Sequence, residues 1–281
     1  MPKPAWLKTR LPTGTQFNRV NEVLRKLRLN TVCSHARCPN LSECWNLGTA
    51  TVMLLGDVCT RSCRFCAVQK GNPRGEVDWD EPERVAQLIL ELGLKYLVLT
   101  SVDRDDLADL GAGIFAATVR AVKKKKKTVK VEVLVPDFGC REELIVPVLE
   151  SGPDVFGHNL ETVERLTPLV RDRRASYCLS LNVLKKVKEL APQLITKSGL
   201  MVGLGETMDE VLATLRELRA VGCDIVTVGQ YLQPNRRCLP VERYWTPEEF
   251  QEIQVAGESL GLKRVFAGPF VRSSYRAEEL I

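Results

Sequence analysis

Short apolar runs alternate with longer stretches in which apolar residues recur every three or four positions, and this alternation is the first thing the chain shows. Thr51-Val52-Met53-Leu54-Leu55 is a continuous apolar run ending at Gly56-Asp57, the pattern of a buried parallel strand. Strands are also expected over Tyr96–Ser101, Val129–Val135, Asp154–His158, up to Gly203 from Leu200, and over Asp224–Gly229. Helical periodicity fills the gaps. A helix is expected from Asp80 towards Leu92, opened by Pro82 and Glu83 in its first turn. Others are expected over Asp105–Lys124, over Arg141–Ser151 with Pro147 kinking or shortening it, and over Arg174–Leu190. Thr207 with Glu210 reads as a capping box for a helix stopping before Gly222, and Thr246-Pro247 starts a last helix that ends near Gly261. Six strand–helix units in alternation predict an α/β fold with a parallel sheet, and periodicity alone leaves open whether it closes.

The first fifty residues follow another pattern. Val20, Val23, Leu24 and Leu27 mark one face of a basic helix over Phe17–Leu29, read as an arm packed on the main domain. Residues 31–50 read mostly as loop, with a short helix over Leu41–Leu47. The expected organisation is an N-terminal extension over residues 1–50, a barrel-like domain over 51–262 and a C-terminal segment over 263–281.

Composition then narrows the chemistry. The 281 residues carry 44% hydrophobic and 27% charged side chains, ordinary for one large globular domain. A net charge of +5 is too modest to define a nucleic-acid protein. No apolar run reaches membrane-spanning length, and the basic N-terminal stretch has no apolar core of a secretion signal. Ten cysteines in such a chain point to a reducing, cytoplasmic compartment and to metal ligation rather than disulfides.

Six of those cysteines fall in two triplets. Cys59, Cys63 and Cys66 have the spacing Cys-x3-Cys-x2-Cys, with Phe65 before the last, in the loop that follows the first strand. Three thiolates hold three corners of a cubane iron–sulfur cluster and leave the fourth iron open. The competing reading is a zinc knuckle completed by a remote ligand. Cys33, Cys38 and Cys44 form a Cys-x4-Cys-x5-Cys triplet just upstream, again without a fourth thiol, and His35 makes a Cys3His zinc site the alternative there. With two histidines in the chain, no Ser-His-Asp set or carboxylate pair stands out.

The Cys59, Cys63 and Cys66 triplet resembles that of the radical S-adenosylmethionine (SAM) superfamily. Together with Ala36–Asn40, Thr100–Asp106, His158–Thr162, Thr196–Met201, Gly229–Pro234, Gly268–Val271 and Arg272-Ser273-Ser274-Tyr275, it is similar to the lipoyl synthase family over most of the chain. That resemblance implies a partial (β/α)6 TIM-like barrel. It implies two [4Fe-4S] clusters, one on Cys59, Cys63 and Cys66 that reduces SAM, and an auxiliary one on Cys33, Cys38, Cys44 and Ser273 that supplies sulfur. The implied reaction places sulfur at carbons 6 and 8 of an octanoyl chain on a carrier lysine. The implied partners are an octanoylated lipoyl domain or glycine-cleavage H-type protein and an electron donor such as ferredoxin or flavodoxin. Thr100, Ser101, Asn159 and Glu161 are the SAM contacts it implies, set against a plain reading in which Asn159 caps the next helix and Glu161 lies in its first turn.

Other features stay divided between two readings. Gly203-Leu204-Gly205 lacks the third glycine of a dinucleotide fingerprint, leaving a backbone approach to SAM or a simple turn. His158 reads as a satisfied structural histidine. Cys140, Cys178, Cys223 and Cys238 stand alone and read as packing residues, Cys238 replacing the histidine usual in the family. Lysines 123–127 read as a solvated helix end or as a dock for an acidic carrier. The alternatives to a lipoyl synthase are a biotin synthase-type sulfur inserter, a maturase, a non-catalytic iron–sulfur carrier or a zinc-bound nucleic-acid module.

Overall fold

The computed structural model describes residues 3–7, 15–35, 38–46, 51–275 and 277. Ala36, Arg37 and Gly48 lie outside the described residues. In chain order the elements are α1 (Thr15–Lys26), β1 (Asn30–Thr31), α2 (Val32–His35), α3 (Leu41–Asn46) and β2 (Thr51–Leu54). Two short strands, β3 (Val58–Cys59) and β4 (Gln69–Lys70), bracket the second cysteine triplet. Next come α4 (Glu81–Leu92), β5 (Tyr96–Ser101), α5 (Ala112–Lys125), β6 (Lys130–Leu134), α6 (Glu142–Glu150) and β7 (Val155–Gly157). The chain continues through α7 (Thr167–Val170), α8 (Tyr177–Leu190), β8 (Ile195–Val202), α9 (Met208–Ala220), β9 (Ile225–Gln230), α10 (Pro247–Ser259) and β10 (Arg264–Gly268).

The main sheet runs β1-β2-β5-β6-β7-β8-β9-β10, parallel throughout except for the antiparallel β1–β2 pair. It curls strongly, because Tyr96 and Val98 on β5 share an apolar cluster with Ile225 on β9 and Phe266 beside it. Its two edges, β1 and β10, are not hydrogen-bonded to each other, so the barrel is partial. β10 carries the sheet past the expected end of the barrel at residue 262.

The elements start and stop where local chemistry directs. Thr207 and Thr246 each close a full capping box, with Glu210 and Glu249 respectively. The helix expected from Asp105 begins only at Ala112, after Leu110 (φ 51°) and Gly111 (φ 90°) take left-handed conformations. The intervening Asp105 and Asp106 are committed to Arg61 and Arg104 instead. Asp80 makes no side-chain cap, and Pro147 is accommodated within α6.

The lysine run lies at the end of the barrel where the strands start. It closes α5 just before β6 begins, on the side where the strands start, opposite their carboxyl ends. Lys123 bonds Val129 O and Asp154 Oδ2 (2.6 Å), and Lys126 bonds Leu94 O, so both tie helix end to strand start.

Candidate active site

Parallel strands direct their carboxyl ends to one mouth, and there a single cavity of about 590 Å³ opens. Its wall takes Met53 from β2, Thr100 and Ser101 from β5, Leu134 from β6, Gly199 to Met201 from β8, and Thr227 and Gly229 from β9. Cys59, Cys63 and Cys66 line it, and so do Cys33 and Cys38. Five of the six thiols, from triplets separate in sequence, therefore meet at one space, and Cys44 lies outside it.

Leu55 (φ 68°) and Gly56 (φ 85°) turn the chain sharply out of β2 into the Cys59 loop. The loop is then clamped on all sides. Thr60 N–H donates to Asp103 O at 3.0 Å, and Gly71 N–H to Cys59 O at 2.9 Å. Arg61, 7% exposed, spans Asp105 and Asp137 and lies 3.3 Å from Asp103. Burial pushes the Asp103 carboxyl up to about 6, against the pull of Arg61. Asp172 accepts from both Ser62 N–H (2.8 Å) and Ser62 Oγ (3.0 Å), while its own N–H donates to Cys63 Sγ at 3.3 Å. None of these four acids was singled out from the sequence as a clamp. Only their meeting in space shows it.

Burial sets the protonation of the three thiols. Burial raises Cys59 to about 12 and Cys63 to about 11, and raises Cys66 too. They stay protonated until a metal displaces the protons. Among the described residues, no three His, Cys, Asp or Glu side chains converge closely enough to hold a single ion. Beside the thiols, Ser101 Oγ and Asn159 Oδ1 are buried without partners on the cavity wall. Such atoms fit an incoming polar ligand.

Thr100, Ser101, Asn159 and Glu161 all reach this cavity. Asn159 does not cap a helix: its Nδ2 donates to Glu161 Oε1 (3.2 Å) and to Ser273 Oγ (2.8 Å). Glu161, at φ 70°, continues β-type pairing, its N–H donating to Gly199 O and its carbonyl accepting from Met201 N–H. Burial raises its carboxyl. His158 is structural. Its Nδ1–H donates to Val135 O, which obliges Nε2 to accept from Ser180 Oγ, and burial lowers the ring to about 4. Gly203 and Gly205 form a turn whose amides are answered internally: Gly203 N–H and Leu204 N–H donate to the buried Glu206 carboxylate. They line no part of the cavity.

The first triplet is built by joining both ends of the chain. Cys33 sits on α2, Cys44 on α3, and Cys38 N–H donates to Cys33 O between them. Asn40 Nδ2 donates to Phe270 O at 2.6 Å and Tyr275 OH to Glu43 Oε1 at 2.9 Å, stitching this segment to the C-terminal one. Burial lifts Cys33 to about 11 and also raises Cys38, which the neighbouring Arg272 guanidinium opposes. A small space of about 20 Å³ is bounded by Cys33, Cys38, Cys44, Arg272 and Ser274. Ser273, the serine expected there, is not part of it and turns to Asn159 instead. His35 lines neither space. The sequence reading also passed over Trp45, whose buried indole N–H has no oxygen or nitrogen partner and favours the Cys33 thiolate.

Glycine makes this closure possible. A Cβ on Gly229 would stand 2.0 Å from Val271 O, a distance no side chain survives. Gly229→Ala is expected to push the C-terminal segment off β9 and to cut the iron held after anaerobic reconstitution to about half, the Cys59 site remaining filled. Iron analysis checks this, and full iron content would show that the segment's position does not matter.

The curled parallel sheet with a three-thiol loop after its first long strand defines a class, and comparison with known proteins agrees. Residues 53–218 match the Radical SAM superfamily, to which the chain belongs. Solved structures share the fold alone: methylornithine synthase (TM-score 0.57, 14% identity, 89% of this chain and 78% of that one) and the FeFe-hydrogenase maturase HydG from Carboxydothermus hydrogenoformans (0.59, 16%, 74% and 50%). Within that class the chain belongs to the lipoyl synthase family. Residues 2–38 match the N-terminal domain of lipoyl synthase. The lipoyl synthase of Thermus thermophilus is 55% identical, covering 99% of this chain and 86% of its own length, and that of Pyrobaculum calidifontis is 56% identical, covering 99% and 96%.

Proposed function

We infer that the protein is a radical SAM sulfurtransferase that inserts two sulfur atoms, at carbons 6 and 8, into an octanoyl chain amide-linked to a carrier-protein lysine. The observation that carries this is the meeting of Cys59, Cys63 and Cys66 with Cys33 and Cys38 on the wall of one cavity, Cys44 lying in the small space behind the latter two. Its cofactors are two [4Fe-4S] clusters and SAM. When bound, they supply hydrogen abstraction from an unactivated carbon, which no acid or base side chain can perform, and the sulfur itself.

The chain's own residues divide the work. Cys59, Cys63 and Cys66 would hold three corners of one cluster and leave the fourth facing the cavity. Ser101 and Asn159, with their unsatisfied oxygens, would receive polar groups of SAM, with Thr100 and Glu161 beside them. Met53, Leu134, Val135, Leu200 and Leu232 supply apolar wall for an acyl chain. Cys33, Cys38 and Cys44 would hold the auxiliary cluster, completed by a serine from Arg272–Tyr275. Serine oxygen is a harder donor than thiolate and a poorer match for soft iron–sulfur, which suits a cluster that must come apart.

The placement favours Ser274 over Ser273 as that ligand. Ser274→Ala is expected to lower reconstituted iron from about eight per chain and to abolish sulfur insertion into an octanoylated carrier peptide. Ser273→Ala should keep the iron and disturb only the Asn159 contact. The opposite order of effects would return the ligand to Ser273. No helix among the described residues is long and apolar enough to cross a membrane. The proposed setting is the cytoplasm, and the proposed carrier is a lipoyl domain or a glycine-cleavage H-type protein.

A further inference from the structure

The Cys59–Cys66 loop has a second face, turned away from the cavity. Arg64 N–H donates to Val170 O at 2.8 Å, and Arg64 O accepts from Leu239 N–H at 2.9 Å. Cys238 Sγ reaches Cys66 O at 3.5 Å. Residues 169–174 and 235–239 thus lie directly against the back of the loop that carries Cys63 and Cys66. Between and along them Arg64, Arg173, Arg236 and Arg237 are exposed. Leu169 is 55% exposed, its carbonyl accepting from Arg64 Nη1. None of these five residues lines the cavity.

An exposed leucine beside Arg64, with three more exposed arginines on the segments against the loop, has the composition of a docking surface: an apolar anchor with cations that pair with carboxylates in a planar, two-point manner. What would dock here need not enter the cavity. An octanoyl chain must enter bodily, so its carrier has to cover the mouth, beside Lys3 and Gln233 on the cavity's rim. An electron needs only a short path through protein to the thiolates.

We propose that this face docks an acidic one-electron donor protein, which reduces the cluster held by Cys59, Cys63 and Cys66. The proposal rests on that cluster assignment. Each encounter oxidises the donor by one electron and reduces the cluster by one, and no atom or proton crosses. Arginine at 64, 173, 236 and 237 steers the acidic donor, and Leu169 fixes its distance from the loop.

The test uses the full chain with both clusters reconstituted, carrying Arg173→Glu, Arg236→Glu and Arg237→Glu together. Arg64 is left in place because its backbone belongs to the cluster loop. An acidic flavodoxin reduced to the hydroquinone is one donor and dithionite the other. Flavodoxin-driven SAM cleavage is expected to fall about tenfold or more at low salt, the gap narrowing to about twofold near 0.5 M salt as charges are screened. Dithionite-driven cleavage and the KM for an octanoylated carrier domain should not change, whereas binding of the oxidised flavodoxin to the variant, read by titration calorimetry at low salt, is expected to weaken about tenfold. An unchanged flavodoxin rate overturns the proposal, and an unchanged flavodoxin rate with a raised carrier KM hands the face to the carrier. If the wild-type protein fails to cleave SAM even with dithionite, the cluster assignment beneath the proposal is what falls.

Discussion

Cys63→Ala is expected to bring reductive SAM cleavage down to background, a loss on the order of a thousandfold or more, and sulfur insertion with it. Cys63 is the middle thiol of the loop, and its sulfur sits where Asp172 N–H can bond it. With only two thiolates left, the cluster would lose one of its three protein ligands, and the loop's acids are occupied by Arg61 and Ser62. The fold should survive. The backbone bonds of Thr60, Arg64 and Gly71 do not involve the Cys63 side chain, and the Ser62–Asp172 pair is untouched. Circular dichroism would confirm the intact fold, and 5′-deoxyadenosine formation would measure the loss. A folded variant that still makes 5′-deoxyadenosine would move the radical-generating cluster elsewhere.

The second large effect separates the two thiol sets. Cys38→Ala should make no thiolated product at all, yet cleave SAM within about threefold of the wild-type rate, because the two sets share no ligand. The first triplet's segment stays docked without that thiol: Cys38 N–H still bonds Cys33 O, and Asn40 and Tyr275 still tie it to the C-terminal segment. The barrel loop does not depend on it. Loss of SAM cleavage in a folded Cys38→Ala protein would mean that the roles of the two triplets are exchanged or shared.

Much of this was legible in the sequence because the informative features are local. The spacing of each triplet, the apolar run before Cys59 and the capping boxes at Thr207 and Thr246 depend on residues within one turn or one loop. What escaped reading depends on distant residues. Leu107 and Leu110 sustain a helical period through Asp105–Gly111, but Arg61 and Arg104 hold the two aspartates in a loop before the helix can begin. β10 is a half-buried strand whose place is set by pairing with β9 rather than by its own five residues. Adjacent serines look alike in a motif. Only the packing of Val271 on Gly229 and of Ser273 on Asn159 separates them, leaving Ser274 on the small space beside Cys33, Cys38 and Cys44. Gly203 and Gly205 mislead in the same way, since the carboxylate of Glu206 fills the turn that a cofactor would need.

The central claim is that one cavity houses a radical generator and a sulfur source built into the same chain. A single-turnover reaction tests it most directly. The protein is reconstituted with heavy-isotope sulfide, freed of unbound sulfide, and given an octanoylated carrier peptide, SAM and reductant with no other sulfur. The account predicts a lipoyl product in which both inserted atoms carry the heavy isotope, with SAM cleaved and one protein's auxiliary iron released. A product bearing unlabelled sulfur, or full product from Cys38→Ala under the same conditions, would contradict it.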